Sequence, residues 1–325
     1  MKKFLLATAV ALFLMAALLM TACGGDDKDK LTVILDWFPN ADHAGLYAAE
    51  AQGYFKEEGL KVKLQAPGNP EDPPKFVAAN RADIAISYEP AVILARAEGL
   101  PITAIGSIVP TPLNSIQVLR SSGIASPAQL GGKKIGFTGI PTEEVYLKAV
   151  LSKAGVNPSS VTMINVGFEL SKALISKQVD AIIGGYWNVE AVLAEMEGHP
   201  VNVFKLQDWG VPEFNELVFV VNEKRARGAD ENLRKFLRAV AKGHAYAVQN
   251  PDAAINAVVK ASQESDRELV TRGVRLLVPL WRSAPQPFGL MDEAKWRSFI
   301  QFLVDNKIVE KPVAIDGTMT NKFLQ

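Results

Sequence analysis

Short apolar runs rich in β-branched residues alternate with amphipathic stretches over the first two thirds of the chain. This alternation indicates βαβ units, in which helices cover both faces of a parallel sheet. The pattern therefore predicts an α/β protein with two parallel-rich sheets flanked by helices. The predicted strands are 31–35, 61–65, 84–87, 102–108, 134–137, 161–166, 181–184 and 201–206. The predicted helices between them are 45–57, 90–98, 143–154, 169–176 and 189–197.

From residue 231 onward the pattern changes to helices alone, at 231–249, 252–261, 268–278 and 292–306. Two βαβ regions and a helical C-terminal tail fit a bilobed molecule whose chain crosses between the lobes more than once. Pro, Gly and Asn interrupt the pattern near 113–118 and 208–217, where we place the crossings. The expected boundaries are 31–115 plus 216–325 for lobe 1 and 116–215 for lobe 2.

The N-terminus has the form of an export signal. Lys2 and Lys3 precede an apolar run over 4–20, and small residues follow it just before Cys23. This segment resembles the lipobox of bacterial lipoproteins, with Met20 where that class usually has Leu, Val or Ile. The resemblance implies a signal peptide over 1–22, a lipid-modified Cys23, a flexible tether over 23–30 and attachment to the outer face of the cell membrane. A plain signal with a chance buried cysteine is the alternative.

Composition narrows the class further. The 35 basic residues balance the 35 acidic ones, so no net field draws the protein to nucleic acid. A single cysteine excludes intramolecular disulfides. No other apolar run approaches the length of a membrane-spanning helix, so any membrane attachment is expected to be by lipid alone.

Two strand ends carry aromatic and polar residues suited to binding a flat heterocycle. After 31–35, Trp37 offers an apolar face and Asn40 offers both a donor and an acceptor. Trp37 could instead belong to the core and Asn40 could cap a helix, although Asp42 could equally be that cap. After 181–184, Tyr186 and Glu190 lie four residues apart, on one face if a helix begins there. Glu190 could also be a solvated helix charge.

Two further strand ends complete the predicted crevice. Tyr88 follows 84–87, and Gly139 lies in 136–142, whose backbone N–H groups could hold a polar or anionic group. In open α/β sheets, ligands bind beyond the carboxyl ends of the strands, so these residues are expected to converge.

Catalytic motifs are weak by comparison. The three histidines, His43, His199 and His244, lack the spacing of a metal motif, and the chain contains no nucleophile elbow and no P-loop. The sequence therefore predicts a binding protein and not an enzyme, without metal or cofactor.

Several motifs together resemble the thiamine-pyrimidine branch of the ABC-transporter solute-binding proteins. That branch includes formylaminopyrimidine-binding proteins and the related pyrimidine synthases. The motifs are Leu-Asp-Trp-Phe-Pro-Asn over 35–40 followed by His43, Gly-Tyr-Phe at 53–55, Ala-Asp-Ile-Ala at 82–85, Leu-Gly-Gly-Lys-Lys at 130–134, Gly-Gly-Tyr-Trp at 184–187 and Gly-Val-Pro at 210–212.

The resemblance implies a type II periplasmic-binding-protein fold whose two lobes close on a thiamine-precursor pyrimidine, with an ABC permease and ATPase as partners. It makes Trp37 and Tyr186 the aromatic wall and Asn40 and Glu190 the polar readers of the ring. Tyr88 becomes a further contact, with His43 and Trp187 as neighbours of the site.

The same resemblance leaves two alternatives. Nitrate, sulfonate and taurine receptors share the motifs at 53–55 and 130–134, but the four strand ends contain no Arg or Lys for an anion. Aligned by eye, the synthase's lysine and histidine fall at Ser87 and Ala91, and its cysteine-rich segment falls at 212–216. These departures favour transport over synthesis.

Overall fold

The computed structural model describes residues 29–262 and 266–324. The predicted signal peptide, Cys23 and nearly all of the predicted tether lie outside the described residues, although Lys30 already belongs to the first strand. None of the helices in the described ranges combines the length and the apolar character needed to cross a membrane.

Within the described residues, ten strands form two five-stranded sheets with equivalent topology. The first sheet has the order β2-β1-β3-β10-β4 and the second β7-β6-β8-β5-β9. The strands are β1 Lys30–Ile34, β2 Lys61–Gln65, β3 Ile84–Ser87, β4 Ile102–Val109, β5 Asn114–Leu119, β6 Lys134–Phe137, β7 Thr162–Asn165, β8 Ala181–Tyr186, β9 Val201–Lys205 and β10 Leu217–Asn222.

Both sheets are mixed. In the first sheet β1 and β3 are parallel, with Val33 opposite Ile84, whereas β10 is antiparallel to both β3 and β4. In the second sheet β6 is parallel to β7 and β8, whereas β5 is antiparallel to β8 and β9. The parallel pairs agree with the predicted βαβ units. The antiparallel strand β5 occupies the predicted crossing at 113–118, and β10 begins where the predicted crossing at 208–217 ends; neither was predicted as a strand.

Twelve α-helices surround the sheets within the described ranges. They are α1 Ala44–Ala51, α2 Tyr54–Glu57, α3 Pro73–Ala78, α4 Glu89–Ala97, α5 Pro141–Lys153, α6 Leu170–Ile175, α7 Glu190–Met196, α8 Glu223–Arg227, α9 Glu231–Gln249, α10 Pro251–Ala261, α11 Arg267–Ser283 and α12 Glu293–Asp305.

Two predicted helices differ from the observed ones. The single helix predicted over 45–57 is divided into α1 and α2 by Gly53, whose φ of 78° lies in the left-handed region that favours glycine. The helix predicted to end at Val278 instead continues as α11 through Pro279 to Ser283. The short helices α3 and α8 had no sequence prediction.

The chain passes from the first sheet to the second between β4 and β5, and returns between β9 and β10. The described residues from Leu31 onward form one compact unit. A hydrophobic cluster contains members of both sheets, including Ile34 and Val218 from the first and Ile116 and Ile135 from the second. The two sheets therefore share part of their hydrophobic core. A cleft lined by residues of both sheets lies beside this shared core.

Candidate ligand-binding site

A cleft at the strand ends of both sheets combines aromatic rings with carboxyl groups. The segments that follow β1, β3, β6 and β8 all contribute to it, as do the starts of α5 and α7. The empty space between its walls, counted together with its opening to solvent, is about 500 Å³. The lining residues are Asp36, Trp37, Asn40, Tyr88, Asn114, Thr138, Ile140, Thr142, Glu143, Tyr146, Leu170, Gly184, Tyr186, Val189, Glu190 and Glu216.

The loop after β1 is held in place by a reciprocal cap. The Asn40 side chain accepts a hydrogen bond from the Asp42 backbone N–H at 2.8 Å, and His43 Nδ1 accepts one from the Asn40 backbone N–H at 3.2 Å. Asn40 therefore both caps the 3-10 helix Ala41–His43 and lines the cleft, which combines the two roles that the sequence left open. Asp42 is not the cap.

His43 is 1% exposed and lies outside the cleft lining. Its Nε2 lies 2.8 Å from Asp36 Oδ1, and the Tyr88 hydroxyl donates to Asp36 Oδ2 at 3.3 Å. The Asp36 carboxyl group faces the cleft between these two partners. Asp36 thus belongs to the site although the sequence reading assigned it no role, and His43 positions it.

The aromatic part of the lining comes from three strand ends. Trp37 is half-buried and packs against Phe168. The two rings meet edge to face, with their centroids 4.5 Å apart. Tyr88 and Tyr186 add two further rings. Within the described part of the chain, the buried Tyr186 hydroxyl has no hydrogen-bond partner, so it remains available to a ligand.

Glu190 lies at the first turn of α7 and is half-buried at the cleft wall. Its Oε2 accepts a hydrogen bond from the Tyr186 backbone N–H at 2.7 Å. This bond fixes the carboxyl group next to the aromatic ring four residues earlier. Glu190 is therefore not the freely solvated helix charge of the alternative interpretation.

Two other carboxyl groups in the lining escaped the sequence analysis. Glu143, on the first turn of α5, accepts from both the backbone N–H and the hydroxyl of Thr138, at 2.7 and 2.8 Å. Glu216, immediately before β10, accepts from the backbone N–H groups of Leu113 and Asn114, at 2.6 and 2.8 Å. Glu216 therefore connects the two crossings between the sheets.

A signal for these two residues was present but weak. Glu143 follows Thr138 by five residues, across the turn from a strand end to a helix, and Glu216 lies in a crossing next to a strand. Both positions are those in which an α/β fold places ligand-binding side chains. Glu143 falls within the helical pattern of 143–154 and Glu216 within the irregular pattern of 208–217, so neither was predicted to bind a ligand.

Burial changes the ionisation of this cluster. It raises the pKa of Glu190 and Glu216 to about 7 and that of Glu143 to about 8, because a carboxylate loses hydration when it is removed from water. Burial likewise raises the pKa of Asp42, behind the loop, to about 7. Near neutral pH the protonated and ionised forms of these carboxyl groups are therefore both populated.

Two other predicted residues lie outside the cleft lining. Gly139 has a φ of 97°, and a Cβ there would come within 2.7 Å of Asn165 Nδ2, so it shapes the loop. Trp187 turns away, with its Nε1 donating to the Pro112 carbonyl at 3.3 Å and Lys205 Nζ 5.0 Å from its ring centroid. The lining includes the other five predicted residues, Trp37, Asn40, Tyr88, Tyr186 and Glu190.

Known proteins resemble this chain in sequence and in fold. It is 36% identical over 327 residues to a formylaminopyrimidine-binding protein of Halalkalibacterium halodurans, with 99% of each chain covered. It is 31% identical to a 4-amino-5-hydroxymethyl-2-methylpyrimidine phosphate synthase of Aspergillus parasiticus, covering 71% of this chain and 70% of that one. The alkanesulfonate-binding protein SsuA from Xanthomonas axonopodis pv. citri, bound to MOPS, matches with a TM-score of 0.70 at 14% identity, covering 90% and 98% of the respective chains.

The structural likeness confirms the predicted periplasmic-binding-protein fold, with two sheets flanked by helices and a helical C-terminal region. A family model described as NMT1/THI5 like matches residues 40–254. Because this match covers well over half of the chain, and the relative from Halalkalibacterium halodurans extends it to almost the full length, the protein belongs to the NMT1/THI5-like family.

Proposed function

We propose that this protein is the solute-binding component of an ABC importer and that it binds a thiamine-precursor pyrimidine in the cleft. The observation that carries the proposal is a lining of aromatic rings and carboxyl groups without any Lys, Arg or His among its described residues. The relative from Halalkalibacterium halodurans, named a formylaminopyrimidine-binding protein, supports the choice of ligand.

The chemistry of a 4-aminopyrimidine suits this lining. Its flat ring can lie against Trp37 or Tyr186, because aromatic faces stack with heterocycles. Its exocyclic amine donates hydrogen bonds, and the carboxyl groups of Glu190 and Glu216 accept them. The Tyr186 hydroxyl can bond a ring nitrogen or a substituent.

A nitrate, sulfonate or taurine receptor is disfavoured by the same lining. Four carboxyl groups reach the cleft, from Asp36, Glu143, Glu190 and Glu216. Among the described residues of the lining, no basic side chain would compensate for the charge of an anion, and any of these carboxyl groups that ionises would repel it. The likeness to an alkanesulfonate-binding protein therefore extends to the fold and not to the ligand.

Synthesis of the pyrimidine is the second alternative, because relatives named as synthases belong to the same family. The lining offers no lysine for a Schiff base with pyridoxal phosphate and no histidine to donate ring atoms. Ser87 and Ala91, which align by eye with the synthase's lysine and histidine, lie outside the lining. The proposed role is therefore binding without catalysis.

The N-terminal sequence supports attachment to the membrane. We infer cleavage before Cys23, lipid modification of its thiol and delivery of the ligand to a permease from the outer face of the membrane. Mass spectrometry of the mature N-terminus, purified from membranes, would give a diacylglyceryl cysteine. An unmodified N-terminus downstream of Cys23 would exclude the anchor.

Calorimetric titration tests the ligand directly. We expect N-formyl-4-amino-5-aminomethyl-2-methylpyrimidine or its hydroxymethyl analogue to bind, and nitrate and taurine to give no heat. Glu190→Ala should weaken pyrimidine binding by about 1.5–3 kcal/mol, the range for a hydrogen bond to a charged group. Glu195→Ala, on the exposed side of the same helix, is the matched control. Equal affinity of wild type and Glu190→Ala would remove Glu190 from the site.

A further inference from the structure

The cleft is unbalanced in charge even when its closest neighbours are included. The ionisable groups that face it or lie directly behind its wall are five carboxyl groups and one imidazole, from Asp36, Asp42, Glu143, Glu190, Glu216 and His43. The hydroxyls of Tyr88, Tyr146 and Tyr186 are also present, and burial raises the pKa of all three well above the usual value. Most of these acidic groups therefore have no cationic partner among the residues that the structure describes.

These carboxyl groups differ in whether one or both of their oxygens accept hydrogen bonds. Asp36 is engaged through both oxygens, by His43 and Tyr88, and Glu143 through both oxygens by Thr138. The hydrogen bonds found for Glu190 and Glu216 in the described part of the chain use Oε2 alone. Glu190 therefore retains one oxygen for a ligand at the cleft wall, whereas the Glu216 carboxyl group also lies close to the Tyr186 hydroxyl.

We propose that the cleft binds its heterocycle as the ring-protonated cation, with the carboxylate of Glu190 or Glu216 as the counter-ion. The proposal rests on the proposed function for the identity of the ring and adds its charge state. It assigns the site to amidine-type heterocycles, in which an exocyclic amine lies next to a basic ring nitrogen.

The proton balance is simple. The ligand arrives neutral, and a carboxylic acid of the cleft gives its proton to the ring nitrogen, so one O–H bond breaks and one N–H bond forms. The ring becomes a cation and the carboxyl group a carboxylate, and the complex keeps its total charge. The raised pKa values of Glu190 and Glu216, about 7, make such a proton available near neutral pH.

The physical reason is that an opposite charge stabilises a buried carboxylate. Without a ligand, burial favours the protonated acid because no cation compensates for the lost hydration. A cationic ring removes that penalty, and the ionic hydrogen bond is stronger than one between neutral groups. The protonated ring nitrogen is a charged donor, and it matches an oxygen of Glu190 or Glu216 that is not already engaged by a backbone N–H group.

This inference predicts a specificity that stacking alone would not give. A pyrimidin-4-one has an oxygen in place of the amine and a much less basic ring nitrogen, while its size and shape are almost unchanged. We expect it to bind more weakly than the aminopyrimidine by about tenfold to a hundredfold, the effect of losing a charged hydrogen bond.

Nitrogen NMR of the bound ligand tests the charge state directly. The probe is N-formyl-4-amino-5-aminomethyl-2-methylpyrimidine labelled with ¹⁵N in the ring, added to the full-length protein at pH 7.5. Protonation moves a ring ¹⁵N resonance strongly upfield, so the bound signal is expected at the position of the cation. A bound signal at the neutral position would overturn this inference and leave the proposed function intact. Failure to bind at all would overturn the proposed function, and this inference with it.

Two isosteric variants test the counter-ion. Glu190→Gln and Glu216→Gln keep the side-chain shape but cannot ionise, so at least one of them should weaken binding by about tenfold or more and shift the bound ¹⁵N signal toward neutral. Glu144→Gln is the matched control, because Glu144 is exposed and pairs with Lys148. Wild-type affinity and an unchanged ¹⁵N signal in both variants would contradict the assignment.

Discussion

At the scale of single residues, side chains outside the cleft lining hold the lining residues in position. His43 shows this most clearly, because it lies outside the lining while its two ring nitrogens contact Asp36 and the Asn40 backbone. The family resemblance predicts His43 as a neighbour of the ligand site, and in the structure His43 contacts Asp36, a residue of the cleft lining. Its contacts assign it a positioning role.

Replacing His43 by Ala should therefore affect both stability and binding. The Asp36 carboxyl group and the Asn40 backbone N–H would lose their partners, which costs about 1–3 kcal/mol for a buried group. Urea denaturation measures the first effect and calorimetry with the pyrimidine the second. His199→Ala, in an exposed turn, should change neither quantity. A His43→Ala protein as stable as the wild type would show that these contacts are dispensable.

The buried carboxyl groups should also make the stability of the ligand-free protein depend on pH. The pKa values of Asp42, Glu190 and Glu216 are raised to about 7, and that of Glu143 to about 8. The folded protein then holds protons that the unfolded chain has already lost. The free energy of unfolding should therefore fall as the pH rises from about 5 to about 8, as measured by urea denaturation.

One variant and one group whose pKa is shifted in the opposite direction serve as controls for this pH dependence. Glu143→Gln should flatten this pH dependence, because it removes the group with the most strongly raised pKa among the four. Burial lowers the pKa of His244 to about 4, so its contribution is lost instead as the pH falls from 6.5 toward 4. A stability that rises steadily from pH 5 to pH 8 would contradict the protonated state of the cluster.

The sequence predicted those residues of the cleft lining that directly follow strands. Trp37, Tyr88 and Tyr186 come one to three residues after a buried strand or at its end, and the side-chain chemistry of each suggested a ligand. Glu216 could not be found in this way. Its place in the cleft depends on hydrogen bonds to residues about a hundred positions earlier in the chain, which no local pattern encodes.

At the scale of elements, two loops from opposite sheets meet at Trp37, a residue of the cleft lining. Trp37 and Phe38 follow β1, and Phe168 lies between β7 and α6. The centroid of the Phe168 ring is 4.5 Å from that of Trp37 and 4.8 Å from that of Phe38. We call these three rings the aromatic latch. Phe168 is the part of the latch that sequence analysis did not identify.

Loosening the latch should accelerate the escape of a ligand. Phe168→Ala removes two aromatic contacts, each worth about 0.5–1.5 kcal/mol, so the dissociation rate should rise several-fold. Stopped-flow displacement of the bound pyrimidine measures this rate. Leu276→Ala, at another exposed apolar side chain, should leave it unchanged. An unaltered rate in Phe168→Ala would mean that the latch opens independently of release.

The elements themselves were predictable where a strand or helix has its own periodic pattern. The helix predicted over 231–249 matches α9, and the strand predicted over 84–87 matches β3. Strands β5 and β10 were missed because each lies beside a crossing rich in Pro, Gly or Asn. Their strand conformation depends on pairing with two neighbours that are distant in sequence.

At the scale of the whole molecule, the two sheets should unfold together. They share a hydrophobic cluster, and a buried hydrogen bond of 2.9 Å joins Asn188, which follows β8, to Asp42, which follows β1. We expect one cooperative urea transition, coincident by tryptophan fluorescence and far-UV circular dichroism. Two separated transitions would show that the sheets are energetically independent.

The first sheet contains β10, which follows all strands of the second sheet in the chain, and this order has a consequence for biogenesis. The first sheet remains without β10, which lies between β3 and β4, until residues 217–222 have been made. A nascent chain therefore lacks a central strand of its first sheet through two thirds of its synthesis, and cannot complete either the sheet or its core. For a protein whose N-terminus has the form of an export signal, this delay favours an unfolded chain that can be threaded across a membrane before it folds.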